Sequence, residues 1–265
     1  MTFYNLYDTI KLWWYMKENE KCVQFEKLNN NNEIIHLFTK RPFNFSKLTS
    51  TDKIKKDYQE IEQFFNYNFL KIKKPIQTHT NVVKIVTNDN LDDEFLDVDG
   101  LITNLKGVAL VTSLADCQGI LLYDAQKKVI GNIHSGWKGT LNKIIKNAIE
   151  IMQDNFNCNP KNIEAYICPS ILKCCFEVDE DVVSMFKNNF DDIDEYIFKG
   201  EIKDNKQKYY IDTVSINVKE MEKLGLLKEN IYCSNICTKC HADKYHSYRN
   251  DHDQSGRNIA LICLK

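Results

Sequence analysis

The chain has 265 residues, of which 43% are hydrophobic and 27% charged, and its formal charge at neutral pH is -2. This composition excludes a disordered chain and predicts one globular domain over residues 1–265 with a sizeable core. The nearly balanced charge argues against a nucleic-acid partner, and no apolar run is long enough to cross a bilayer.

The first twenty residues mix acidic and apolar side chains, which is not the pattern of a secretory signal. The sequence contains ten cysteines. A disulfide framework is typical of short secreted chains that cannot build a core, so here we expect mostly free thiols and a cytoplasmic location. We also expect a monomer or a weak homodimer that contacts no membrane.

The first third of the chain predicts short strands, turns and one helix. In chain order, we predict a solvated turn at Leu28–Glu33, a strand at Ile34–Thr39, a helix at Thr51–Tyr67 capped by Thr51 and Asp52, an extended segment at Pro75–Thr87, and an acidic loop at Asp89–Asp99.

The middle of the chain carries the strongest apolar patterns. It predicts strands at Gly107–Leu114, Gly119–Tyr123 and Lys128–His134, a tight glycine turn at Ser135–Gly139, and an amphipathic helix with its apolar face from Leu141 to Met152. Cys117 and His134 therefore lie at strand edges.

Strands and helices continue to intermix toward the C-terminus. The patterns predict strands at Ile163–Cys168, Ile231–Ile236 and Ile259–Cys263, and helices at Asp179–Asn189 and Asp212–Leu224. Because the order follows no strict βαβ rhythm, we predict an α+β fold, a single-domain sandwich of mixed β-sheets flanked by helices.

Several short motifs occur in a fixed order along the chain. They are Gln77-Thr78-His79, Asp99-Gly-Leu101-Ile-Thr103, Ala115-Asp116-Cys117, His134-Ser-Gly-Trp-Lys-Gly139, Cys174-Cys-Phe-Glu-Val178, Cys237-Thr238, Ser247-Tyr-Arg249 and Gly256-Arg257. This series resembles the YfiH family, also called laccase-domain or polyphenol oxidoreductase-like proteins, over roughly Phe38 to Ile262. Each motif is weak by itself, but their order makes the resemblance specific.

The resemblance implies a YfiH-like fold of the cysteine hydrolase type and a zinc ion bound by His79, Cys117 and His134, with copper as the alternative metal. Three protein ligands leave one coordination position open, which is typical of a catalytic zinc site. Taken alone, a histidine at a strand end is more often simply hydrogen-bonded, and a lone cysteine is more often an inert core residue.

Other matched positions suggest roles around this metal. Asp116 would orient the ligands, Arg41 and Arg249 would contact phosphate or ribose, and Cys237 and Thr238 would line the pocket. For Arg257 we expect mainly a structural contact near the C-terminal strand. A rival site is the zinc-knuckle-like group Cys233, Cys237, Cys240 and His241, which has a single C-x-x-C half.

What the family resemblance implies for function is a zinc-dependent purine nucleoside phosphorylase acting on adenosine, inosine and guanosine-type nucleosides with phosphate. Adenosine deaminase and methylthioadenosine phosphorylase side activities are implied with it. Three alternatives stay open: an amide hydrolase that edits peptidoglycan precursors through cysteine or zinc, a copper-dependent polyphenol oxidoreductase, and a zinc-stabilised binding module without catalysis.

Overall fold

A computed structural model describes residues Met16–Lys265, so the prediction about the N-terminal segment lies largely outside the described residues. The strands are Met16–Glu18 (β1), Cys22–Phe25 (β2), Ile34–Thr39 (β3), Lys71–Lys73 (β4), Val83–Ile85 (β5), Gly100–Thr103 (β6), Val108–Leu114 (β7), Gln118–Asp124 (β8), Val129–Ser135 (β9), Ile163–Ile167 (β10), Glu177–Val178 (β11), Ile197–Lys203 (β12), Lys206–Ile211 (β13), Ile231–Cys233 (β14) and Asn258–Leu264 (β15). The α-helices are Glu26–Asn29 (α1), Thr51–Phe65 (α2), Trp137–Leu141 (α3), Ile144–Phe156 (α4), Glu180–Asn189 (α5), Thr213–Lys223 (α6) and Tyr248–Asp251 (α7).

Two six-stranded mixed sheets form the centre of the fold. The first has the order β1-β2-β3-β15-β7-β4 and the second β14-β10-β8-β9-β6-β5, while β11, β13 and β12 form a small third sheet. Most neighbours are antiparallel, but β4–β7, β5–β6 and β10–β14 are parallel pairs. The predicted α+β class with mixed sheets and flanking helices is confirmed.

The core lies in layers, because alternate residues of each strand point to opposite faces of its sheet. Leu110 of β7 and Leu121 of β8 belong to one apolar cluster between the two large sheets. The outer face of the second sheet packs on the apolar side of α4, as at Ile149. The outer face of the first sheet packs on α2 through Ile61. The described helices include none long and apolar enough to span a membrane.

Several predicted elements differ from the observed ones. The turn predicted at Leu28–Glu33 starts later, because α1 runs to Asn29 and Leu28 is buried in the core. The cap of α2 is Ser50, whose side chain accepts a hydrogen bond from Lys53 N, and Thr51 is already helical. The glycine turn predicted at Ser135–Gly139 is instead the end of β9 followed by α3.

The segment predicted to be extended at Pro75–Thr87 is mostly a loop, and only β5 within it is a strand. The backbone at His79 has φ 65°, in the left-handed region, so His79 cannot continue a strand. Seven strands were not predicted: β1, β2, β4, β6, β11, β12 and β13. β12 is largely solvent-facing and β13 is mostly half-buried, and the lysines in both conceal the alternation that marks a half-buried strand.

Candidate metal centre

The register between β8 and β9 places Cys117 close to His134. Gly119 pairs with His134 and Gln118 with Ser135 across the two antiparallel strands. Cys117 precedes β8 and follows Asp116, whose φ of 82° turns the chain sharply between β7 and β8. Two candidate ligands thus meet where β8 begins and β9 ends, and the predicted placement of both residues at strand ends agrees with this.

The third ligand candidate, His79, reaches the same place from a loop. The Gln77 side chain clamps this loop to the end of β7, since its amide donates to Ser113 O and accepts from Ser113 N at 3.0 and 2.8 Å. The His79 and His134 rings lie 4.9 Å apart between centroids, and Cys117 Sγ is 3.8 Å from His79 Nε2. His79, Cys117 and His134 therefore converge.

Asp99, directly before β6, holds two of these candidate ligands in place. Its side chain is fully buried and accepts hydrogen bonds from the backbone N–H groups of Thr78, His79 and Thr80. Asp99 Oδ1 also lies 2.6 Å from His134 Nδ1. Burial raises the pKa of Asp99, but the hydrogen bonds from His134 and Thr80 outweigh it and lower the pKa to about 2.

Because the Asp99 carboxylate is hydrogen-bonded to Nδ1 of His134, the other ring nitrogen, Nε2, faces the other candidate ligands. Histidines that bind a metal through one ring nitrogen usually hydrogen-bond a carboxylate through the other. Sequence analysis matched Asp99 to the family pattern without giving it this role. The available signal was an acidic residue directly before the apolar run that forms β6.

Gly136 lets the three side chains approach each other. A Cβ atom at this position would lie 2.8 Å from His79 Cδ2 and 3.1 Å from Cys117 Sγ. Its φ is -72°, so glycine is needed here for space and not for backbone conformation. The glycine of the His-Ser-Gly-Trp motif is thus part of the site.

The Cys117 thiolate and the protonated His134 imidazole stabilise each other. Burial alone would raise the pKa of Cys117, but the two neighbouring imidazoles lower it to about 6. Burial likewise works against charge on His134, whereas Cys117 and Asp99 together raise its pKa. The site therefore favours a thiolate at neutral pH, which is the form of cysteine that binds metals.

These donors fit a zinc ion. One ligand atom from each of His79, Cys117 and His134 lies within 4.8 Å of the others. Sulfur and nitrogen ligands of one tetrahedral zinc are separated by about 3.5 Å, close to the 3.8 Å between Cys117 Sγ and His79 Nε2. His79 is exposed, so the set opens toward solvent on its side.

Asp116 does not orient a candidate ligand, as was predicted for it. It holds Thr238 and Arg249 next to the candidate ligands, and these three residues are called the wall of the site. Its Oδ1 accepts from Thr238 Oγ1 at 2.7 Å and its Oδ2 from Arg249 N at 2.6 Å. The carboxylate that contacts a ligand histidine is Asp99. Asp116, which directly precedes Cys117, thus joins two predicted substrate-binding residues, Thr238 and Arg249, to the candidate metal centre.

The three candidate arginines differ in how their side chains are held. Arg249 donates from Nη1 to Cys175 O at 3.2 Å and lies over the Phe176 ring. Arg41 pairs with Asp251 at 2.6 Å and donates to two backbone carbonyls. Arg257 donates to the carbonyls of Ser255 and Gly256 just before β15, as expected for a structural contact.

The rival cysteine site has a different composition from the one predicted. Cys237 and Cys240 do lie together, but their neighbours are Cys174 and Cys175, and the four thiols form a cluster. Cys233 instead packs against the apolar cluster of α4, and His241 lies outside the group. A parallel bridge between Ser170 and Cys237 brings the two segments side by side, a contact that local spacing could not reveal.

The fold and the candidate metal centre point to the laccase-like class of proteins. The family model described as multi-copper polyphenol oxidoreductase laccase matches residues 40–265. The chain therefore belongs to this family, and the resemblance stated from its motifs is confirmed.

Curated relatives carry a more specific name. The chain is 34% identical over 218 residues to a purine nucleoside phosphorylase of Clostridium acetobutylicum, covering 82% of this chain and 86% of the relative. A purine nucleoside phosphorylase of Borreliella burgdorferi is also 34% identical, with 80% and 85% covered.

Solved structures share the fold. The YfiH protein of Bacillus licheniformis superposes with a TM-score of 0.83 at 23% identity, covering 94% of this chain and 99% of that one. YlmD from Geobacillus stearothermophilus gives 0.82 at 22% identity, with 95% and 99% covered.

Proposed function

We propose that this protein is a zinc-dependent purine nucleoside phosphorylase whose metal ligands are His79, Cys117 and His134. The observation that carries the proposal is the convergence of these three side chains, braced by Asp99, in a chain 34% identical to relatives named purine nucleoside phosphorylase. Inosine, adenosine and guanosine-type nucleosides, with phosphate, would be the substrates.

Phosphorolysis replaces one bond at the ribose anomeric carbon by another. A phosphate oxygen forms the new C–O bond while the C–N bond breaks, and the purine leaves with the electron pair of that bond. The sugar becomes positively charged on the way, and the leaving base becomes negative. The site must therefore hold phosphate on one side of the sugar and stabilise the base on the other.

The chain offers groups for both tasks. Arg249 sits on the wall held by Asp116, and its guanidinium is suited to bind a phosphate through paired N–H groups. Thr238, fixed by the same carboxylate, would line the pocket with Cys237. Arg41 is the weaker candidate for a phosphate or ribose contact, because Asp251 and two carbonyls already occupy its side chain.

When bound, zinc would supply a Lewis acid at the open side of the ligand set, which suits both base departure and hydrolytic deamination. Asp99 keeps His134 oriented toward that side, and Gly136 keeps His79 and Cys117 close enough to share one ion. We extend the proposal to adenosine deaminase and methylthioadenosine phosphorylase side activities. The proposal also includes a single YfiH-like domain over residues 1–265, a cytoplasmic location, and a monomer or weak homodimer.

The test is a product profile with and without phosphate. Purified protein with inosine and phosphate should release hypoxanthine and ribose 1-phosphate, and adenosine without phosphate should yield inosine. Cys117→Ala should lose both bound metal at this site and activity, whereas Cys233→Ala, outside both clusters, should keep them. Unchanged turnover in a Cys117→Ala protein freed of metal would refute the proposal.

One observation favours a second candidate function, that of an amide hydrolase. A cysteine held as thiolate beside a positively charged imidazole, as at Cys117 and His134, is also the pair that a cysteine-dependent amide hydrolase needs. Covalent trapping of Cys117 by an amide substrate, with activity that survives chelation, would favour that reading. A copper oxidase would instead be indicated by bound copper and strong visible absorption.

A further inference from the structure

A second group of metal-binding side chains lies beside the first site. The thiols of Cys174, Cys175, Cys237 and Cys240 all lie within 4.8 Å of one another. None of the four is in a disulfide. They come from two loops, one before β11 and the other after β14.

The sulfur separations match those of a metal site. Cys240 Sγ lies 3.7 Å from Cys174 Sγ and 3.4 Å from Cys175 Sγ. Four thiolates around a tetrahedral zinc at about 2.3 Å have sulfur atoms separated by about 3.8 Å. A disulfide needs about 2.05 Å and joins only two sulfurs, so it would leave the other two thiols without a reason to converge.

The two loops are held in this arrangement by the backbone. Ser170 N donates to Ile236 O at 3.2 Å, and Thr238 N donates to Ser170 O at 3.0 Å. This pairing sets the cysteine turn of one loop against that of the other. The geometry therefore exists through contacts other than the thiols themselves.

We infer that Cys174, Cys175, Cys237 and Cys240 bind a second zinc ion, with four thiolate ligands and no open position. A closed four-thiolate set is typical of structural zinc and not of catalysis. This ion would fix the wall of the first site, since Thr238 follows Cys237 and bonds to Asp116, while Arg249 bonds to the carbonyl of Cys175. The inference concerns metal content alone and stands apart from the proposed phosphorolysis.

Zinc stoichiometry tests the inference directly. Protein loaded with zinc under reducing conditions and then desalted should hold two ions per chain. Cys240→Ser and Cys117→Ala should each hold one, the double variant none, and the matched control Cys233→Ala two. One ion per chain in the wild type, unchanged by Cys240→Ser, would overturn the inference.

A measurement on the unmodified chain covers the case in which Cys240→Ser does not fold. Cys174 and Cys240 are exposed, so free thiols there should be alkylated quickly in the native protein. With zinc bound, both should resist alkylation until a chelator is added, as peptide mass spectrometry would show. Rapid alkylation before chelation, or a Cys174–Cys240 or Cys175–Cys240 disulfide in the reduced and zinc-loaded protein, would contradict a metal site.

Discussion

The two clusters of candidate metal ligands are built in opposite ways. His79, Cys117 and His134 come from three separate parts of the chain and depend on a buried carboxylate, Asp99, for their orientation. The four cysteines come from two loops paired through their backbones and have only sulfur donors. An open set of mixed ligands suits chemistry on a substrate, and a closed set of thiolates suits a structural brace.

Removing the carboxylate from the first cluster should have the largest effect. Asp99→Asn replaces an anion that accepts from three backbone N–H groups and faces His134 Nδ1. Loss of such a partner typically costs about 10- to 100-fold in metal affinity or activity. Hypoxanthine release and zinc affinity should both fall by this factor, while the four-thiol site keeps its ion.

The matched control is Asp92→Asn, which removes an exposed carboxylate paired with Lys71. It should change neither hypoxanthine release nor zinc content. If Asp99→Asn bound zinc as tightly as the wild type, the first cluster would not depend on this carboxylate, and the proposed difference between the two clusters would be contradicted.

The second prediction concerns Arg249, which lies between the two clusters. Its side chain donates to Cys175 O in the four-thiol cluster, and its backbone N–H donates to Asp116 beside the first. Arg249→Gln should raise the KM for phosphate about tenfold, because a charge-assisted hydrogen bond contributes about 1.5–3 kcal/mol. The KM for inosine should change less. Arg257→Gln is the control, and an equal rise of the phosphate KM in both variants would contradict the assignment.

A third prediction compares His134, whose imidazole is bonded to a carboxylate, with His36, a buried imidazole that has no carboxylate partner among the described residues. His36 is buried in β3, its Nε2 accepts from Phe25 N, and burial lowers its pKa to about 3. The unfolded chain takes up this proton below about pH 6.5, and the folded chain does not. The free energy of unfolding should therefore fall by about 1.2 kcal/mol between pH 7 and pH 5.5 through this group.

Urea unfolding at both pH values measures this contribution as a difference between variants. His36→Gln should lose the part of the pH dependence that comes from His36, whereas His252→Gln, at an exposed position, should retain it. The same slope in all three proteins would mean that His36 does not stay neutral in the fold.

The smallest effect is expected from Gly136→Ala. The added Cβ would lie 2.8 Å from His79 Cδ2, and His79, on an exposed loop, can move by a few tenths of an ångström. Zinc affinity of the first site should fall about fivefold, since misplaced ligands bind less tightly. In Gly139→Ala the nearest atom is an ordinary 3.4 Å away, and the affinity should stay within experimental error.

The sequence predicted the parts of this site that depend on strong local patterns. Strands β7, β8 and β9 are largely apolar runs, and this pattern placed Cys117 and His134 at strand ends. The loop at His79 was mistaken for a strand because its β-branched residues match strand propensity. Its hydrogen bonds to Asp99, 20 positions away, override that propensity.

The four-thiol cluster escaped prediction for a related reason. Spacing within Cys233–His241 suggested a knuckle, but two of the four clustered thiols belong to Cys174 and Cys175, far away in sequence. A backbone bridge between Ser170 and Cys237 joins the two loops. Contacts of this kind are tertiary and leave no periodic signal in either segment.

The most direct test of the central claim is zinc titration of metal-free protein while phosphate-dependent hypoxanthine release is followed. In the wild-type protein, activity should rise with bound zinc and reach its plateau once the first cluster is filled, at no more than two ions per chain. Full activity in the metal-free protein, or activity that stays absent at full occupancy of His79, Cys117 and His134, would contradict the account.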